Sequence, residues 1–153
     1  MLRTLTVIIS LLFTAPALAA DGTVKASNDS SLQVLAQVFG IHNLSDDKRG
    51  VMLRLFESGG GDPAVNGNHL LLAIVPEPSQ APRVWQTGID IYNVRSVALD
   101  AEKSEISIDA TEHFQGDPGA IRERPRHYTI RYDIDAESGA VSETIQVRSD
   151  PLK

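Results

Sequence analysis

From Ser30 onward the chain carries two competing hydrophobic periods. Leu32, Leu35, Ala36 and Phe39 recur at i, i+3, i+4 and i+7, Ser30 and Gln33 have capping-box spacing, and Gly40 stands where a helix would stop. This predicts one short N-terminal helix. Leu32, Val34, Ala36 and Val38 also alternate as a strand would, but Ala, Leu and Gln favour the helix. Asn43 to Gly50 is rich in turn residues. Residues 45–57 admit two readings. Val51, Leu53 and Leu55 alternate as a strand, whereas Val51, Met52, Leu55 and Phe56 would share one face of a helix begun at Ser45. Gly50 inside that helix tilts the choice to the strand.

Beyond residue 58 the period is two. His69 to Val75 is a short apolar run stopped by Pro76-Glu77-Pro78, as in a strand buried on both faces. Val84 to Thr87 and Ile89 to Leu99 follow, with a break expected at Gly88 and a change of phase near Asn93. Ser104 to Phe114 alternates Ile106, Ile108 and Ala110 with Glu105, Ser107 and Asp109. His127 to Ile134 turns Tyr128, Ile130, Tyr132 and Ile134 inward, and Val141, Ile145 and Val147 close the series. The links Leu99–Ser104 and Asp135–Gly139 are too short for anything but antiparallel neighbours. The expected class is mainly β (α+β). It is an antiparallel meander of five to seven strands, a sheet or partly closed barrel, with one short N-terminal helix.

The N-terminus changes the picture of where the chain goes. Arg3, an apolar Leu5–Phe13 core and the small residues of Ala15-Pro16-Ala17-Leu18-Ala19-Ala20 form the three parts of a secretory signal peptide. Residues 1–19 are therefore expected to be cleaved, 20–30 to be a flexible lead-in, and 31–153 to be a single β-rich domain in the periplasm or outside the cell. The apolar stretch is shorter than the roughly 20 residues a spanning helix needs. Cysteine is absent from all 153 residues, so no disulfide, thiolate nucleophile or Cys-ligated zinc is available. A net charge of −6 argues against nucleic-acid binding, which phosphate neutralisation drives.

Candidate chemistry is sparse. Ser58–His69 contains Gly59-Gly60-Gly61 and the oxygen donors Asp62, Asn66 and Asn68, but matches neither a nucleotide fingerprint nor a calcium loop. His42, His69, His113 and His127 show no metal-ligand spacing, so neither metal nor cofactor is expected. No serine lies in a Gly-x-Ser-x-Gly elbow. Asp90, Asp109, Glu112 and Asp133 mostly occupy the polar phase of alternating strands. The segment Gln115–Arg126 is more suggestive: it joins two strands, is longer than a hairpin needs, and gathers basic residues in an acidic chain.

These features predict an exported, non-enzymatic binding protein of the inhibitor or immunity type, acting on a cell-envelope or secreted hydrolase. Its partner-binding residues would be Asp117, Ile121, Arg122, Glu123, Arg124 and Arg126, with Asp62, Asn66 and His69 from the glycine-rich loop. A small-ligand carrier, with Tyr128, Tyr132, Ile106 and Ile108 lining an apolar pocket, is the second reading, and an envelope hydrolase the third.

Overall fold

The computed structural model describes residues 35–59, 66–76, 81–116 and 119–151. They form eight strands: β1 (Val38–Asp46), β2 (Val51–Gly59), β3 (Asn68–Val75), β4 (Arg83–Ile91), β5 (Asn93–Asp100), β6 (Glu105–Gln115), β7 (Ile121–Arg131) and β8 (Gln146–Pro151). Every neighbouring pair is antiparallel, and chain order is sheet order: β1-β2-β3-β4 in one sheet, β5-β6-β7-β8 in the other. The meander is thus present as two open sheets, not a closed barrel, and it has eight strands instead of five to seven.

The extra strand is β1, and one boundary between strands also moves. From Val38 the chain is strand, so Phe39 and Gly40 do not end a helix, and the turn chemistry of Asn43–Asp46 is drawn into β1 by pairing with β2. Only residues 47–50 make the turn, closed by Gly50 at φ 64°. Residues 30–34 of the expected helix, and the expected signal peptide and lead-in, lie outside the described residues. Gly88 does not break its strand. It sits at φ 70° beside a register shift, where Thr87 Oγ1 donates to the Leu70 carbonyl at 2.7 Å and accepts from Ile89 N at 3.2 Å. The hydroxyl bridges the bulge, and β4 continues. The break falls at Tyr92 instead, the single residue between β4 and β5.

The inward faces of both sheets meet in one core. Leu53, Leu55, Leu70, Leu72, Ile74, Ile89 and Ile91 from the first sheet pack with Ile106, Ile108, Ala110, Tyr128 and Ile130 from the second. Each fully buried Leu or Ile contributes about 1.5–3 kcal/mol relative to exposure. Trp85 packs against this core and donates Nε1–H to the Glu143 carbonyl at 3.0 Å. At the opposite corner Lys48 reaches Glu102 at 2.6 Å, and Arg49 Nη1 donates to the Ala101 carbonyl at 2.6 Å. The first-sheet turn is thereby tied to the turn between β5 and β6. The Asp135–Gly139 turn is as expected: Gly139 has φ 69°, its N–H meets the Asp135 carbonyl at 2.8 Å, and Ile134 bridges Val141. No helix among the described residues is long and apolar enough to cross a membrane.

Candidate protein-binding finger

Gln115–Arg126 is not a long loop. β6 and β7 run to 11 residues each and pair from Glu105↔Arg131 to Gln115↔Ile121, so all the basic residues of the segment are strand residues. The connection shrinks to residues 116–120, closed by Gly116 N to Ala120 O at 2.8 Å and Gly119 N to Gly116 O at 2.7 Å, with Gly119 at φ 89°. Turn residues and Pro125 conceal this in the sequence, because the alternation there is polar on both faces.

The hairpin outruns its neighbours. β5 follows β6 only as far as Asn93↔Thr111, and β8 follows β7 only from Arg126↔Pro151. Beyond these rungs, Glu112↔Arg124, His113↔Glu123, Phe114↔Arg122 and Gln115↔Ile121 pair, among the described residues, only with one another. They form a two-stranded finger.

A carboxylate cluster fixes its base. Glu112 continues the inward phase of Ile106, Ile108 and Ala110 and is 8% exposed, unlike Asp109, which stands in an outward polar row. It accepts hydrogen bonds from the Tyr128 hydroxyl, from Arg124 Nε at 2.7 Å and from Arg126 Nε at 3.0 Å. Burial alone would raise the Glu112 carboxyl, but these three donors outweigh it and hold the group below its ordinary value. Burial and the facing carboxylate together push the Tyr128 phenol up. The Arg124 guanidinium also lies 5.2 Å from the centre of the Phe114 ring. Where the apolar core ends, charge-assisted bonds and one aromatic contact replace it.

The outward side is held differently. The Asn66 side chain accepts from His113 N at 2.5 Å and donates to the His113 carbonyl at 2.8 Å, occupying the edge that β5 has vacated. Asn66 itself sits at φ 58°, a left-handed conformation that Asn tolerates. The Tyr92 ring stacks on the His113 imidazole at 3.9 Å, and His113 Nε2 lies 3.5 Å from Glu123.

The glycine-rich connection and the arginine segment, separate in sequence, therefore meet through Asn66. Ile121 is 51% exposed near the tip, and Arg122 and Glu123 are exposed beside it. Arg124 and Arg126 are committed to Glu112. Asp117 and Asp62 lie outside the described residues.

His69 is directed elsewhere. Its Nδ1 meets Asp90 Oδ1 at 2.5 Å on the outer face of the first sheet, in a row with Ser58 on β2. The Ser58 hydroxyl donates to the Gly59 carbonyl at 3.4 Å. Tyr92 and Phe114 lie within the runs Ile89–Leu99 and Ser104–Phe114, and nothing in that patterning singles out either ring for a place at the base of the finger. Glu112 was legible: it is a carboxylate at the next inward step after three core residues. No family model, curated protein or solved structure matches the chain.

Proposed function

We propose that this chain is an exported, non-enzymatic binding protein that blocks another protein, an envelope or secreted hydrolase, by inserting the β6–β7 finger into its cleft. The observation that supports this reading is the run of rungs from Glu112↔Arg124 to Gln115↔Ile121, which have no other strand beside them among the described residues. At about 3.4 Å per residue the paired part extends some 13 Å past the sheet, before its turn. Its base is clamped by Glu112 on one side and Asn66 on the other, so little ordering cost is left for binding. Ile121 offers an apolar contact near the tip, with charged neighbours around it.

The carrier reading has less support. Ile106, Ile108 and Tyr128 pack into the common core of the two sheets. Grooves open to the surface among the described residues include one of about 460 Å³, and it is lined by His69, Asp90, Gln86 and Gly88 instead.

The test uses the chain as bait on the cell-envelope fraction of its source, beside a variant in which residues 113–123 are replaced by a two-residue Asn-Gly turn. One hydrolase eluting at near-equal amount, losing activity on binding, and escaping the shortened variant is the expected result. A shortened chain that folds and still binds and inhibits that hydrolase overturns the finger assignment.

A further inference from the structure

The two sheets differ in what they show to solvent. In the second sheet the outward rows are polar: Asp100–Glu105–Arg131–Gln146 is one, Ser96–Asp109–His127–Asp150 another. In the first sheet lateral pairing aligns Ile41, Phe56 and Leu71 in one outward row that ends at Gln86, and Met52 with Val75 in another that begins at Ser45. Between these lies Asn43–Arg54–Ala73–Val84. Ile41 is 55% exposed, Met52 43% and Val84 63%. An antiparallel sheet with one wet face ordinarily alternates polar outward. This one carries an apolar patch on its outer face, bordered by Ser45, Gln86 and the Ser58–His69–Asp90 row.

Arg54 stands amid that face on the inner strand β2, flanked along the strand by Met52 and Phe56. Most other basic side chains have a carboxylate partner, among them Lys48, Arg49, Lys103, Arg131 and Arg148. Arg54 is exposed and has no hydrogen bond or ion pair among the described residues. In a chain of net charge −6, a cation without a partner among the described residues, set between Met52, Phe56 and Ala73 with Asn43 on its fourth side, is a complementary half awaiting an anion. Arg, aromatic and Met side chains are also the types that interface centres favour.

The face is large enough. Strands of eight or nine residues in a four-stranded sheet span roughly 30 by 19 Å, about 570 Å² per partner, which clears the roughly 1,000 Å² in total asked of a biological interface. A second copy fits poorly, since a two-fold stack through this face would bring the two Arg54 guanidinium groups together. We infer that the outer face of β1–β4 docks a protein whose apolar surface carries a carboxylate opposite Arg54. This surface is separate from the finger, and the inference goes beyond the finger reading.

The test pans a displayed random peptide library against the purified chain and titrates the enriched peptides into wild type, Arg54→Glu, Met52→Ser and the finger-shortened variant. Peptides should carry Asp or Glu among apolar residues. They should bind Arg54→Glu at least tenfold and Met52→Ser several-fold more weakly, and bind the shortened variant unchanged. Two-dimensional NMR should place them on Ile41, Arg54, Phe56 and Leu71. Enrichment without an acidic preference, or equal affinity for Arg54→Glu, overturns the inference. So does a micromolar dimer that Met52→Ser dissociates, which makes the occupant a second copy. Binding that appears only after residues 1–34 are removed overturns it too, because the chain's own N-terminal segment is then the occupant.

Discussion

Tyr128 and Tyr132 stand four residues apart, and each gives its hydroxyl to a buried carboxylate: Tyr128 to Glu112 within its own sheet, Tyr132 to Asp46 of the other at 2.6 Å. Each carboxylate is also gripped by arginine, Glu112 by Arg124 and Arg126, Asp46 by Arg49 Nη1 at 2.9 Å. The same three-part device closes the core at two places, once under the finger and once where the sheets are tied together. Tyr128→Phe and Tyr132→Phe should each cost about 1–3 kcal/mol in urea denaturation, the range for a hydrogen bond to a charged group. The residues are about 13 Å apart along the strand, so the double variant should lose the sum to within about 0.5 kcal/mol.

Acid should undo both clusters. Burial would raise the Asp46 and Glu112 carboxyls, but their donors win and hold both below their ordinary values of 3.8 and 4.5. The folded chain thus binds fewer protons than the unfolded one near those values. The stability it gains is fully present above them and is lost as pH falls through the lower folded values. Asp46→Asn and Glu112→Gln should be less stable than wild type at pH 7 and decline less steeply between pH 5 and 2, as read from denaturation midpoints across that range.

Two glycines should fail for different reasons. A Cβ on Gly40 would lie 2.5 Å from Glu57 Oε1, the oxygen that His42 Nε2 meets at 2.8 Å. Gly40→Ala should push that carboxylate off His42, and its cost should shrink markedly in a Glu57→Ala background. Gly88→Ala meets open space and pays only for φ +70°, about 1 kcal/mol in any background. A thermal-melt double-mutant cycle separates the two.

Asn66 supplies the finger with a substitute for a missing strand. Asn66→Gly keeps the left-handed backbone accessible and removes both bonds to His113. Amide exchange at His113 should accelerate at least tenfold while core amides such as Ile108 stay protected.

How much of this was written in the chain depends on what lies beneath each segment. β6 was legible down to its phase because Ile106, Ile108 and Ala110 face a core and their neighbours face water. β1 was not, since its local signals, a helical period ending at Phe39 and turn residues at Asn43–Asp46, were overruled by pairing with β2. The finger half of β7 was hidden for the opposite reason. The core stops short of it, so Arg122, Glu123, Arg124 and Pro125 carry no alternation, and their rungs to β6 make them a strand. Of the candidate site, the segment was found and its arginines noted. That two of them would be turned onto Glu112 depended on a pairing that no local pattern encodes.

Tyr92 is the only residue separating the two meanders, and no hydrogen-bonded strand pair crosses it. On a chain made from its N-terminus, the first sheet can complete its ladder before β5 exists. At that moment Leu53, Leu55, Leu72 and Ile74 on one side are as bare as Ile41, Phe56 and Leu71 on the other. The nascent half is a greasy slab with two sticky sides, and until the second half folds over one of them, its safety rests on a chaperone or on speed.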